Sequence, residues 1–100
     1  MNNFNSIINS ETPVLVDFYA DWCAPCRAVP PVLRQVKDNM GDKVKIIQVN
    51  VDKNPVVASK YGIHSIPALF LFKSGDVRWK GLGVRQASEL EKVIEKNLTN

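Results

Sequence analysis

The stretch Val14-Leu15-Val16-Asp17-Phe18-Tyr19-Ala20-Asp21-Trp22-Cys23-Ala24-Pro25-Cys26-Arg27 decides how the rest of the chain is read. Val14 to Ala20 is a nearly continuous apolar run rich in β-formers, the pattern of a strand buried on both faces. Asp17 alone interrupts it. From Ala24 to about Met40 the pattern turns helical, with apolar positions 29, 32, 33, 36 and 40, until Gly41 stops it. Pro30 and Pro31 fall inside this helix and predict a kink. Cys23 and Cys26, the only two cysteines, therefore sit where a strand ends and a helix begins. As a staple such a pair does little. Closing a four-residue loop restricts the unfolded chain by only ~1.9 kcal/mol, against ~4.7 kcal/mol for a hundred-residue loop.

Outward from this segment, the elements alternate in type. Phe4 to Ile8 forms a short helical turn that Glu11-Thr12-Pro13 ends. Val44 to Val51 is a second strand, and Pro55 opens a short helix ending near Gly62. Ala68 to Phe72 is a third strand, joined through a hairpin turn at Lys73-Ser74-Gly75-Asp76 to a fourth, Val77 to Leu82. Residues 87 to 98 close the chain as an amphipathic helix with Leu90, Val93, Ile94 and Leu98 facing inward. The order α-β-α-β-α-β-β-α implies an α/β fold. Its mixed sheet is parallel where helices cross over, antiparallel at the hairpin, and flanked by helices on both faces.

One hundred residues with 45% hydrophobic and 23% charged content fit one domain spanning residues 1–100. The longest apolar run, Ala68 to Phe72, is five residues, far short of a membrane span of ~20. The net charge of +3 is mild and the basic residues are scattered, so neither nucleic acid nor membrane is expected as a partner. Met1-Asn2-Asn3-Phe4-Asn5 has no positive charge and no apolar core of a signal peptide. Cytoplasmic residence is the expectation, although a chain trimmed of an export signal would look the same.

The placement of the cysteines has chemical consequences. Backbone amides at a helix start favour thiolate over thiol at the first sulfur. Pro25 fits a first helical turn because its missing N–H would have had no partner. Spaced three apart, the sulfurs lie within reach of each other, with Cys23 expected to be exposed and Cys26 shielded. The expected chemistry is attack by Cys23 on a substrate disulfide and resolution of the mixed disulfide by Cys26. A zinc site competes poorly, since two thiols and one histidine, His64, fall short of four ligands. Incidental buried cysteines fit a strand-to-helix turn behind a tryptophan poorly too.

Residues 14–27 resemble the active-site segment of the thioredoxin family. Asn50-Val51-Asp52, Lys60-Tyr61-Gly62-Ile63, Ser65-Ile66-Pro67-Ala68-Leu69 and Phe72-Lys73-Ser74-Gly75 match further segments of that family in order. The match runs from about Phe4 to Leu98. The resemblance implies a thioredoxin fold and a protein disulfide reductase that needs no cofactor or metal and acts on disulfide-bearing proteins. A partner of the thioredoxin-reductase type would re-reduce it. It further implies a cis Pro67 packed against the sulfurs and an Ile66 backbone that pairs with an incoming substrate strand. Ser65, Trp22, Ala24, Leu82 and Gly83 would complete the substrate surface. Asp17 would be a buried acid beneath Cys26, with a raised pKa, exchanging a proton with that thiol; an edge or partly wet position is its bland alternative.

Three positions and one element depart from the family pattern. Ala24 replaces a glycine between the first cysteine and the proline. Gln48 stands where a lysine commonly faces the acid. His64 replaces a basic residue and reads as an exposed loop side chain. Nothing before Phe4 can form the family's first strand, so the sheet is expected to have about four strands. Val44 to Val51 would then be an edge, leaving a monomer or an edge-strand dimer. The sequence leaves two other functions open: a thiol–disulfide oxidase or isomerase of the same fold, and a non-catalytic binding module.

Overall fold

Strand β1, Val14–Tyr19, lies inside a four-stranded sheet of order β2-β1-β3-β4 in the computed structural model, which describes residues 3–99. Strand β2 (Lys45–Asn50) runs parallel to β1, with Val14 beside Lys45 and Asp17 beside Gln48. Strand β3 (Ala68–Lys73) is antiparallel to β1 and pairs through a hairpin with β4 (Asp76–Leu82). Ser74 and Gly75 both take positive φ, 53° and 84°, which matches the right-handed twist of the strands they join. Among the described residues, β2 and β4 are the two edges, and β2 is the one the departure from the family pattern led us to expect.

Alternation along β1 divides the core in two. Val14, Val16 and Phe18 face one side with Val49, Phe70 and Phe72, under helices α1 (Phe4–Ile8) and α3 (Pro55–Lys60). Leu15 faces the other side with Leu69 and Leu71, under α2 (Val29–Met40) and α4 (Ala87–Lys96). Asp17 shares the parity of Leu15 and so points to the α2 side. On the α1 side, Phe4, Tyr61, Phe70 and Phe72 pack edge-on or tilted, with ring centroids 5.2–6.2 Å apart. Such pairs add to simple area burial.

The helix expected from Ala24 with a kink at the prolines is instead two elements. A 3-10 turn spans Pro25–Ala28, and α2 begins at Val29. Pro30 and Pro31 fall in the first turn of α2, where backbone N–H groups have no intrahelical partner, so the prolines start the helix rather than bend it. The closing helix ends at Lys96, although Leu98 still packs on the core. Lys73 on β3 is buried and donates to the carbonyls of Asn97 and Leu98, at 2.6 and 3.3 Å. A cation there complements the negative end of α4.

Phe72 is fully buried among three other aromatic rings. Phe72→Ala is expected to cost ~3–5 kcal/mol in urea unfolding. Val56→Ala, at a residue 75% exposed, should stay within ~0.5 kcal/mol.

Candidate active site

Beyond β1, Ala20 accepts a hydrogen bond from the Cys23 N–H at 3.2 Å, a tight turn that swings the chain off the strand end. Cys23 and Cys26 form a disulfide with Cα atoms 5.4 Å apart. The Cys26 N–H, at the start of the 3-10 turn, donates to Cys23 Sγ at 3.2 Å. A backbone donor aimed at that sulfur stabilises negative charge on it once the disulfide opens. The expected contrast in exposure is absent. Both cysteines are 4% exposed, clustered with Ala20 and covered by Tyr19, Val51 and Ile66. What separates the two sulfurs is the Cys26 N–H, together with the Ile66 carbonyl 3.8 Å from Cys23 Sγ.

Three loops surround the pair. The Ile66–Pro67 peptide is cis, as the resemblance implied, with Pro67 buried and Ser65 exposed. The Gly83 N–H donates to the Pro67 carbonyl at 2.8 Å, tying the end of β4 to this loop, and Gly83 has φ 79°, where a side chain would be strained. Trp22 is 71% exposed, and its indole N–H donates to Asp52 Oδ2 at 2.8 Å. Asp52 is held in turn by the buried Asn50, whose side-chain oxygen accepts the N–H groups of Asp52 and Lys53 in an Asx turn. Trp22, Leu82 (59% exposed) and Val84 are exposed apolar residues of these loops, and Ala24 is exposed within the turn.

Two of these supports are legible only in three dimensions. Arg85 Nε donates to the Leu82 carbonyl at 3.0 Å, Nη1 meets Glu89 Oε2 at 2.8 Å, and the guanidinium lies 5.8 Å from the Trp79 ring centroid. Trp79 lies close over Gly81, whose missing side chain leaves it room. This clamp fixes the β4 end that carries Leu82 and Gly83. The only sequence signal for it was an i,i+4 Arg–Glu pair at the start of a helix.

Asp17 is fully buried, which excludes an edge or wet position. Its Oδ2 accepts a hydrogen bond from Gln48 Nε2 at 3.1 Å, whereas Oδ1 has no partner among the described residues. Burial pushes the Asp17 carboxyl above its ordinary range, and the Gln48 bond offsets part of that rise. Gln48 itself is exposed and borders a cleft of about 160 Å³ together with Cys23, Cys26 and Arg27. It is thus the side chain joining the buried acid to the cysteine cleft. His64 is exposed, as expected. Among the described residues no group of three or more His, Cys, Asp or Glu side chains could hold a metal ion.

The thioredoxin family model matches residues 1–96. The chain is 45% identical to thioredoxin 1 of Nostoc sp. over 92 residues, covering 92% of this chain and 86% of that protein. It is 41% identical to thioredoxin of Rickettsia bellii, covering 92% and 88%. Its structure is similar to that of a mutant thioredoxin from Halobacterium salinarum, with a TM-score of 0.88 and 29% identity, over 100% of this chain and 87% of the other.

The Asp17 environment makes two testable statements. In carboxyl titration by NMR, Asp17 should titrate above the ordinary carboxylate range, higher still in Gln48→Leu and lower in Gln48→Lys; an ordinary midpoint contradicts the burial argument. Because the folded-state pKa is raised, the stability it contributes is complete below the unfolded pKa. That stability is lost as pH rises through the folded value. Asp17→Asn should therefore be the more stable protein at neutral pH and lack that falling limb.

Proposed function

The chain belongs to the thioredoxin family and is a thiol–disulfide oxidoreductase, and on that premise we propose how its residues divide the work of reducing protein disulfides. The observation that carries the assignment is the Cys23–Cys26 disulfide at a strand-to-helix turn, with the Cys26 N–H on Cys23 Sγ and the cis-Pro67 loop against it. In the reduced protein Cys23, as thiolate, attacks one sulfur of the substrate disulfide. The Cys23–substrate bond forms as the substrate S–S bond breaks, and the departing thiolate takes a proton. Cys26 then attacks Cys23 Sγ, releasing the second substrate thiol and closing the internal disulfide. Two electrons pass from the dithiol to the substrate. A partner of the thioredoxin-reductase type returns them.

Attack by Cys26 requires that its proton leave. Asp17 takes it, by way of solvent in the cleft bordered by Gln48, since a carboxyl with a raised pKa is a better base toward a thiol than an ordinary one. Pro25 holds the first turn in shape between the two cysteines, and Ala24 limits its backbone freedom further. Ile66 offers backbone groups to an extended substrate strand, flanked by Ser65, Pro67, Leu82 and Gly83, while Trp22 forms the opposite wall. The exposure of Trp22, Leu82 and Val84 supports this surface, because apolar side chains grouped round a reactive pair suit a protein partner.

The same reading makes residues 1–100 one domain that works as a monomer without cofactor or metal, its reducing equivalents carried by the cysteines alone. No helix among the described residues is long and apolar enough to cross a membrane. We place its work in the cytoplasm, since both cysteines belong to the redox pair and neither is left for a structural disulfide.

Cys23→Ser should abolish insulin reduction, with residual activity below ~1% of wild type. Cys26→Ser should instead accumulate a substrate adduct on Cys23, seen as added mass that dithiothreitol removes. Undiminished reduction by Cys23→Ser would contradict the assignment.

A further inference from the structure

The open edge of β2 has its hydrogen-bonding groups arranged in a definite way. In a parallel pair, the residues that bond the neighbouring strand use both N–H and C=O, and alternate residues turn both groups away. Lys45 donates to Pro13 and Val51 donates to Tyr19, so odd-numbered residues of this stretch face β1. Even-numbered ones face outward. Side chains already cover the two ends of this outward row. Lys37 Nζ donates to the Val44 carbonyl at 2.7 Å, and Asn54 Nδ2 to the Asn50 carbonyl at 3.0 Å. Between them, the N–H and C=O of Ile46 and of Gln48 take no bond from any described residue. Four aligned backbone groups over a span of three residues, ~10 Å, form a slot for one short extended segment.

The α2 side of this slot is a groove of about 250 Å³. Pro30, Leu33 and Ile46 give it apolar walls, Arg34 and Lys37 give it positive charge, and no acidic side chain lines it. Gln48 lines both this groove and the cysteine cleft. We propose that the β2 edge is a second docking site, which adds an extended segment of a partner protein as a fifth strand at Ile46–Gln48. The segment places an apolar side chain against Leu33 and Ile46 and an acidic one beside Arg34. Strand addition of this kind draws affinity from main-chain bonds and specificity from alternate side chains.

A second copy of this chain fits less well. Two-fold pairing of Ile46 against Gln48 of the other copy sets the two α2 helices side by side on the same face. Arg34 and Lys37 of both copies then crowd together, in a chain whose net charge is already +3. Continuity with the cleft through Gln48 makes the occupant part of the same disulfide-bearing partner that Cys23 attacks. That last step rests on the redox reading, whereas the docking itself does not.

The test uses the oxidised protein and two blocked, cysteine-free hexapeptides that carry Val and the charged residue at i and i+2, on one strand face: Ser-Val-Ser-Glu-Ser-Val (the Glu–Val peptide) and Ser-Val-Ser-Lys-Ser-Val (the Lys–Val peptide). Amide hydrogen exchange is followed by NMR. The Glu–Val peptide should slow exchange at Ile46 and Gln48 by at least ~10-fold at saturation, an effect that weakens with added salt, while the Lys–Val peptide leaves both amides fast. Arg34→Glu, at an exposed position, should reverse the preference. The proposal is overturned if the two peptides act alike, if Arg34→Glu leaves the preference unchanged, or if the Glu–Val peptide perturbs other amides and spares these. It is also overturned if both amides are slow without peptide in proportion to protein concentration, which assigns the edge to a second copy. Because neither peptide carries sulfur, failure here leaves the dithiol chemistry standing.

Discussion

Burial of β1 on both faces and along both edges is the constraint from which the remaining structure follows. Its backbone is paired with β2 on one side and β3 on the other, and its side chains divide between the two halves of the core. Such a strand cannot shift register by one residue without exchanging Val16 and Phe18 for Leu15 and Asp17 across the sheet. Fixing β1 therefore fixes the point where the chain leaves the sheet. Cys23 follows four residues after Tyr19, and the Ala20–Cys23 turn converts a rigid strand end into a rigid cysteine position. The same strand carries Asp17, so the acid and the sulfurs are set by one element.

This arrangement lets the cysteines act without supporting the fold. The apolar clusters on either side of the sheet include Phe4, Phe18, Phe72, Leu69 and Leu90, all with almost no exposure. Against burial of that kind the four-residue disulfide loop contributes little. Asp17 works in the opposite direction: a carboxyl without solvent, with one oxygen unpaired among the described residues, costs stability whenever it is charged. Gln48, which also borders the cysteine cleft, moderates that cost with a single neutral hydrogen bond.

Much of this was legible in the chain because it rests on local pattern. The β1 run, the Ser74-Gly75 turn and the period of α4 each carry their own signal, and Cys23-Ala24-Pro25-Cys26 identified the chemistry. Other features depend on neighbours that the pattern cannot show. Pro30 and Pro31 read as a kink because nothing local says that α2 begins only at Val29. The equal burial of the two sulfurs follows from packing by Val51 and Ile66, which are distant in sequence. Arg85, Trp79 and Gly81 form one clamp across a strand and a loop, and the β3–β4 register shift at Leu71/Phe72 has no residue signature. Lys73 looked like an ordinary turn lysine until the end of α4 was placed over it.

The central claim is that the Cys23–Cys26 disulfide opens and closes on a fold that stands without it. Urea unfolding of the oxidised and the fully reduced protein at neutral pH tests it directly. Both forms should unfold cooperatively with the same slope, the oxidised form being more stable by about 2 kcal/mol, the size expected for a four-residue loop. A reduced protein with no cooperative transition, or one weaker by ~5 kcal/mol or more, would show the disulfide to be a structural staple and contradict the account.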